Sequence, residues 1–214
     1  MGSENRSTGQ RSGEGKRRSF IEEARRAQII DAAVETIAEF GYVDASLARI
    51  AQRADISKGV ISYHFDGKDE LLQQLVVQVY GAIAEEVGPK VRARGNGREA
   101  LRTHILEVAR HMQAHRSQLL ALTAIFAGAR TRDGRPRYGH ADNEPIYQGL
   151  ESMFRRGQEE GEFRDFDVRV MAVTLQGALD SMFGYWVARP ERGMEAHARE
   201  LAEMFDRATR ALDR

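Results

Sequence analysis

The stretch that decides the fold is SLARIAQRADISKGVISYHFDGK, residues 46–68. Its first half spaces apolar residues at i, i+3, i+4 and i+7, which is one face of a short helix: Leu47, Ile50, Ala51 and Ala54. Asp55 and Ser57 follow, and their side chains favour turns over helix interiors. A second apolar face comes next and ends at Asp66-Gly67: Val60, Ile61 and Phe65. The stretch therefore predicts two short helices joined by a tight turn, a helix-turn-helix.

The second helix of a helix-turn-helix lies in the major groove of DNA, while the first crosses the phosphate backbone. Here the second helix offers a cation, a hydroxyl, an imidazole and a flat phenol ring, all suited to phosphates or base edges. The predicted DNA-contacting residues are those of this helix and two at helix starts: Ser46, Lys58, Gly59, Val60, Ser62, Tyr63, His64 and Lys68. Any helical hairpin shows similar spacing, so the pattern alone also allows a purely structural role.

The stretch resembles the TetR family of bacterial transcriptional regulators. The matching residues follow the family's order and spacing: Ser46, Ile50-Ala51, Ala54, Ile56-Ser57, Gly59, Tyr63-His64-Phe65, Lys68 and Glu70-Leu71-Leu72. The upstream helix matches as well, so the resemblance covers about residues 24–72. Residues 59–68, GVISYHFDGK, are similar to the subgroup that includes betaine/choline-pathway regulators. Asp55 departs from the pattern, because the family usually has Gly at this turn; Asp tolerates such a position better than most residues.

Composition narrows the function classes. The chain has 214 residues, no cysteine and a formal net charge of zero, which excludes a disulfide scaffold and a cysteine nucleophile. Residues 46–68 carry four basic and two acidic side chains, so the local excess of positive charge is modest and DNA binding should depend on a dimer. We find no nucleophile elbow and no phosphate-binding loop, and expect no catalytic residue and no cofactor.

Apolar periodicity predicts an all-α, two-domain protein. We expect a disordered basic arm over 1–19, a helix-turn-helix DNA-binding domain over 20–67, and a helical ligand-binding and dimerisation domain over 68–214. Gly41 should end the first long helix, and Gly88-Pro89 should end or kink the helix that starts at residue 68. The first nineteen residues contain no apolar signal region, and no stretch is apolar enough to span a bilayer, so we expect a cytoplasmic protein without a membrane partner.

The last two predicted helices, 167–188 and 194–213, suggest a homodimer. Each carries an apolar residue every three or four positions: Met171, Leu175, Ala178, Leu179, Met182 and Trp186 in one, and Leu201, Met204, Phe205, Ala208 and Leu212 in the other. Small residues allow close helix approach: Gly177, Ala178, Ser181 and Gly184. The resemblance implies a four-helix interface that places two recognition helices about 34–36 Å apart. Ordinary monomer core is the alternative.

The resemblance also implies an effector cavity among the C-terminal helices. Candidate ligand-binding residues are aromatic or polar: His104, His111, Phe126, Tyr147, Gln176, Asp180, Phe183 and Trp186. Asp180 would suit a cationic ligand, or would instead cap a helix or pair with an arginine across the dimer. His104, His111 and His115 lie near one helix face, but no acidic or cysteine partner is spaced to complete a metal site, so we expect none.

These expectations combine into a ligand-responsive transcriptional regulator, a repressor released from a palindromic operator by a small molecule. Two alternatives stay open at this stage. One is a helical enzyme or small-molecule binder with a structural helix-turn-helix, and the other is a helical adaptor that acts through the dimer surface or through the polar loop 130–144.

Overall fold

The computed structural model describes the backbone of residues 8–211 and the side chains of residues 20–211. The described part is helical, and in chain order it contains α1 Thr8–Asp44, α2 Leu47–Arg53, α3 Lys58–His64, α4 Gly67–Arg92, α5 Gly97–Ala114, α6 Arg116–Gly128, α7 Glu144–Glu159, α8 Val168–Ala188 and α9 Met194–Thr209. Short 3-10 turns occupy His140–Asn143 and Pro190–Arg192. Between residues 8 and 211 the only β pairings are two isolated bridges. The predicted all-α class is confirmed.

The chain divides into two compact units. The first contains residues 1–77 and 120–128, and the second contains residues 78–119 and 129–214. The helix-turn-helix lies in the first unit, and helices α4 and α6 each contribute residues to both. The boundary that we placed after residue 67 stays a prediction.

Helix α1 begins earlier than the sequence indicated. Residues 1–7 of the predicted disordered arm lie outside the described residues, whereas residues 8–19 are helical. Three glycines in this segment lower its helix propensity, but adding a turn to an existing helix fixes only one residue per new hydrogen bond. At the other end Gly41 leaves the helical conformation, with φ 78° and ψ 170°, as predicted.

The first unit is held together by an apolar core that all four of its N-terminal helices share. Helix α1 packs on α2, and α2 packs on α3. The side chains that lie in this core are fully or almost fully buried: Ile29, Ile37, Ile50, Ile61, Phe65, Leu71, Leu72 and Leu75. Burying one such side chain contributes about 1.5–3 kcal/mol. This core holds α2 and α3 by their buried sides and leaves their other sides exposed.

The second unit is built around α5, which packs on α7, α8 and α9. Its interior includes Leu101, Ile105, Phe154, Leu175 and Leu179. The end of α7 closes over an aromatic group in which the rings of Phe154, Phe163 and Phe166 lie 5.5–6.3 Å apart. None of the helices between residues 8 and 211 is long and apolar enough to cross a membrane.

Helix α4 does not end at Pro89. It continues through the proline to Arg92, where we predicted an end or a kink. A proline cannot donate the hydrogen bond to the carbonyl four residues earlier. Pro89 and Glu85 both lie on the exposed side of α4, where water can satisfy that carbonyl.

The apolar faces of α8 and α9 are mostly core of the second unit. Five residues that we assigned to a dimer interface are buried within the chain: Leu175, Leu179, Met182, Leu201 and Phe205. The exposed stripe of α8 is a different one, made mainly of small residues: Val170, Thr174, Gly177, Ser181, Gly184 and Tyr185. On α9 Met204 and Ala208 are exposed, and Leu212 lies outside the described residues.

Candidate DNA-binding and effector sites

Helices α2 and α3 are separated by a turn with well-defined caps. The Ser46 side chain caps α2 by accepting from the Arg49 N–H at 3.3 Å, and the Ser57 side chain caps α3 by accepting from the Val60 N–H at 3.4 Å. Asp55 has φ 53°, the left-handed conformation that glycine adopts most readily. Asp55 therefore occupies this turn in the conformation that glycine usually supplies, as we predicted. Ser46, predicted to contact DNA, is exposed at the start of α2.

Helix α3 has one buried and one exposed side. Ile61 is fully buried, whereas Tyr63 is 72% exposed. Lys58, Gly59 and Ser62 are also exposed. These four exposed residues therefore form one outer face of α3, with a cation at its start and an aromatic ring near its end.

Two predicted contact residues of α3 are less accessible. Val60 and His64 are half-buried. The ring of His64 lies edge-on to that of Tyr63, with the ring centroids 5.0 Å apart. His64 therefore lies against the Tyr63 ring and is itself less accessible than the four residues of the outer face.

The packing of the chain does not require a glycine at position 59. A methyl group there would meet only the Ser57 Oγ, at 3.6 Å, and the residue lies in a regular helix. Glycine inside a helix costs about 0.5–1 kcal/mol relative to alanine. Gly59 therefore lowers the stability of α3 and leaves its backbone open on the exposed face.

Lys68 points away from the outer face of α3. Its ammonium donates to the Tyr42 carbonyl at 2.7 Å and lies 4.4 Å from the centre of the Tyr42 ring. Burial lowers the pKa of Lys68. The ammonium therefore ties the start of α4 to the end of α1, and this bond uses one of its three N–H donors.

Arg26 fixes the end of α3, a role that its sequence position did not reveal. Its guanidinium donates to the backbone carbonyl of His64, lies 4.3 Å from the centre of the Phe65 ring, and pairs with Glu70 at 3.3 Å. The pKa of Glu70 is lowered, chiefly because the Asp66 N–H donates to its carboxylate at 2.5 Å, and also because of Arg26. Arg26 therefore connects α1, α3 and α4.

The predicted effector residues of the second unit form separate contacts. Gln176 donates to Asp180 at 2.9 Å along α8, and the Tyr147 hydroxyl lies 3.1 Å from Nδ1 of His140. The ring of Phe183 is buried and lies 6.1 Å from that of Trp186, centre to centre.

Tyr80, which we did not predict as an effector residue, also makes a polar contact in the second unit. Its hydroxyl donates to Oδ1 of Asn143 at 3.2 Å. Burial raises the pKa of Tyr80, and the nearby carboxylates of Asp180 and Asp142 raise it further. Asp180 has exposed surface, but partial burial of its carboxyl group raises the pKa, against the hydrogen bond from Gln176, which lowers it.

Phe126 and His104 occupy other environments. Phe126 is half-buried in the part of α6 that belongs to the first unit. His104 has its imidazole buried in the second unit, and burial lowers its pKa to about 4. Nε2 of His104 has no hydrogen-bond partner among the described residues, so its ring is neutral at pH 7.

His111 meets an acidic group that helix spacing could not show. Nδ1 of His111 lies 2.6 Å from Oε2 of Glu86, which belongs to α4, and Nε2 of His115 lies 3.7 Å from the same oxygen. The hydrogen bond from His111 is the main reason that the pKa of Glu86 is lowered. The predicted lack of an acidic partner for these histidines was wrong, because the partner comes from another helix.

Comparison with known proteins agrees with this architecture. Residues 29–75 match the family model for bacterial regulatory proteins of the tetR family. The HTH-type transcriptional regulator BetI 1 of Chromohalobacter salexigens is 33% identical over 136 residues, which cover 62% of this chain; the chain spans 66% of that protein's length.

Two solved structures are similar in fold. A transcriptional regulator from Saccharomonospora viridis in complex with choline has a TM-score of 0.69 at 24% identity, and the match covers 89% of this chain and 99% of that one. The regulator FadR of Bacillus subtilis in complex with stearoyl-CoA has a TM-score of 0.70 at 21% identity, covering 83% and 96%. The relatives are named as transcriptional regulators and not as enzymes. With its helix-turn-helix, the chain belongs to the TetR family of transcriptional regulators, with BetI proteins among its relatives.

Proposed function

We propose that this protein is a homodimeric repressor that binds a palindromic operator and leaves it when a small-molecule effector binds the second unit. The observation that carries the proposal is the outer face of α3, where Tyr63 is 72% exposed although Ile61, on the opposite side of the same helix, is fully buried. A large ring held in this way on a short, capped helix is available for contact with a nucleic acid. The protein acts in the cytoplasm, where bacterial DNA lies.

Each exposed residue of α3 has a role suited to its chemistry. Lys58 pairs with a phosphate, Ser62 hydrogen-bonds a base edge or phosphate, and Tyr63 stacks on the sugar-phosphate wall or reaches a phosphate through its hydroxyl. Gly59 lets the DNA backbone approach the helix closely, which explains a glycine that packing does not require. Ser46 positions the start of α2, whose free N–H groups bind a phosphate.

The dimer that we propose uses the exposed stripe of α8 and the neighbouring exposed face of α9. Gly177 and Gly184 lie on this stripe, and a methyl group added to either would meet no described atom within 4 Å apart from its chain neighbours and the nearby backbone of α8 itself. Small residues in such a row allow a second helix to approach closely, and Tyr185 and Met204 add apolar area at its sides. A two-fold axis through this face gives two copies of α3 for two operator half-sites.

The effector that we propose carries a positive charge. Asp180 accepts a hydrogen bond from Gln176, but among the described residues it has no ion pair. Tyr80 and Tyr147 supply aromatic rings and hydroxyls in the same unit, and the negative charge of Asp180 contributes to raising the pKa of Tyr80. Cations are favoured by carboxylates and by the faces of aromatic rings. An arginine of the second subunit is the competing partner for Asp180.

DNA binding is tested by fluorescence anisotropy with the intergenic DNA upstream of the gene. Tyr63→Ala should lose about 1–3 kcal/mol of binding free energy, or roughly 5- to 150-fold in Kd. Val77→Ala is the matched control, because Val77 is also an exposed apolar residue but lies on α4. Equal affinity of the Tyr63 variant and the control would refute the assigned face.

The effector is tested by the same assay with choline and with stearoyl-CoA as probes. We expect choline to weaken DNA binding by the wild-type protein and to have a much smaller effect on Asp180→Asn. A response to stearoyl-CoA alone would contradict a cationic effector. An Asp180→Asn variant that no longer dimerises would instead assign Asp180 to the subunit interface.

A further inference from the structure

One cluster of polar side chains in the second unit has no part in the function proposed above. It joins Glu86 in α4 to His111 and His115 in α5. Each of these residues offers one ligand atom, and the three atoms lie within 4.8 Å of one another. His111 and His115 are four positions apart on one helix, which places both imidazoles on the same face, with ring centres 4.2 Å apart.

The three ligand atoms lie near enough to one another to share one ion after small side-chain rotations. Oε2 of Glu86 lies 2.6 Å from Nδ1 of His111 and 3.7 Å from Nε2 of His115. Ligand atoms that share one tetrahedral Zn²⁺ at bond lengths of 2.0–2.2 Å lie about 3.3–3.6 Å apart. The side chain of Glu86 is 39% exposed, so its carboxylate has room to rotate and lengthen the shorter contact.

The charges and accessibility of the cluster also suit a cation. The pKa of Glu86 is lowered, first by the hydrogen bond with His111, so its carboxylate is charged at neutral pH. The side chain of His115 is 41% exposed, which gives an ion a path from solvent. His111 is buried, and its Nε2 has no hydrogen-bond partner among the described residues, so Nδ1 is the nitrogen through which it meets another polar group.

The positive charge nearest to Glu86 is that of Lys90, which lies closer to another carboxylate. Lys90 lies 3.5 Å from the other oxygen of Glu86, but it is closer to Glu107, at 2.7 Å. Glu107 also pairs with Arg110. Lys90 and Arg110 therefore both pair with the carboxylate of Glu107, and the Oε2 atom of Glu86 faces the two imidazoles.

We propose that Glu86, His111 and His115 bind one divalent transition-metal ion, such as Zn²⁺, with water in the remaining coordination position. Two imidazoles and one carboxylate with an open position are a familiar ligand set for Zn²⁺. The ion replaces the proton that His111 shares with Glu86. Because the ligands come from two helices, the ion also fastens α4 to α5 within the second unit.

The test uses the full-length protein after dialysis against a chelator. Zn²⁺ binding is measured by competition with a chromophoric indicator, and Co²⁺ is added separately because its visible absorption reports the ligand geometry. We expect one ion per chain. Glu86→Gln and His115→Ala should each bind at least about tenfold more weakly, because even changes outside the ligand sphere typically cost ten- to a hundredfold. Both residues are partly exposed, so these variants should fold.

Glu85→Gln is the matched control, because it makes the same change in charge on the same helix at an exposed position outside the cluster. It should bind Zn²⁺ like the wild type. Zn²⁺ should also raise the melting temperature of the wild type and of Glu85→Gln, but not that of Glu86→Gln. Absence of stoichiometric binding, or binding that persists equally in Glu86→Gln and His115→Ala, would overturn the proposal.

Discussion

Arg26 provides the sharpest test of how the DNA-binding face is held. Its guanidinium bonds the carbonyl of His64, the last residue of α3, and covers the ring of Phe65. Among the described residues, the neighbouring Arg25 donates to Gln28 on the surface of the same helix, at 2.7 Å. A change of Arg26 to methionine keeps most of the aliphatic stem and removes the charge and the donors.

The expected magnitude follows from these contacts. A hydrogen bond from a charged donor contributes about 1.5–3 kcal/mol, and a cation over an aromatic ring about 0.5–1 kcal/mol. The side chain of Arg26 is one-third exposed, at 34%, so solvent screening favours the lower ends of both ranges. We therefore expect Arg26→Met to lower the free energy of unfolding of the first unit by about 2 kcal/mol.

The assay is urea unfolding of the full-length protein, followed by far-ultraviolet circular dichroism at one fixed protein concentration. Arg25→Met is the matched control and should unfold close to the wild type. Arg26→Met should unfold at lower urea, with the midpoint shifted by roughly 1 M for a slope of about 2 kcal/mol per M. Operator binding should weaken as well, because the end of the recognition helix loses its link to α1.

Equal stability of Arg26→Met and Arg25→Met would refute the assigned role of Arg26. So would an equal loss of DNA affinity in the two variants while both remain stable. That second result would mean that Arg26 contacts phosphate directly and that its bond to His64 contributes little.

Three further predictions concern single positions. Gly157→Ala should destabilise the protein by about 1–3 kcal/mol, because the new methyl group would overlap the buried Phe163 ring. Gly149→Ala in the same helix places its methyl group in open space and should stabilise the protein by up to about 1 kcal/mol. Thermal unfolding distinguishes the two variants. Gly59→Ala should raise the stability of the first unit and weaken operator binding, as measured by unfolding and anisotropy together. The pKa of His104 is about 4 in the folded protein, whereas its ordinary value is 6.5. As the pH falls, the unfolded chain therefore binds a proton at this histidine before the folded protein does, so the stability of the fold should decrease between about pH 6.5 and pH 4. His104→Gln should flatten this part of the profile of stability against pH.

The helix-turn-helix could be predicted from the sequence because local rules determine it. Ser46 and Ser57 cap the helices that follow them, and Asp55 adopts the left-handed turn. The apolar spacing of Ile50 and Ile61 correctly predicted their burial. Each of these features depends on residues within a few positions of one another, and spacing along the chain is sufficient to find them.

Contacts between distant helices could not be predicted in this way. The pairing of Glu86 with His111 joins α4 to α5, and the bond from Arg26 to His64 spans 38 positions. The apolar face of α8 illustrates a second limit, because a helix packed inside its own chain and one packed in a dimer show the same period. Leu175 and Leu179 fit both, and only the packing of α8 on α7 and α9 assigns them to the interior.

The most direct test of the central claim is the affinity of the full-length protein for its own upstream intergenic DNA, measured across a salt series beside a shuffled sequence of equal length. A repressor that uses α3 should bind the native sequence far more tightly than the shuffled one, and the logarithm of its affinity should fall steeply and linearly with the logarithm of salt concentration. Equal, weak binding to both sequences would contradict the claim that α3 reads an operator in this DNA.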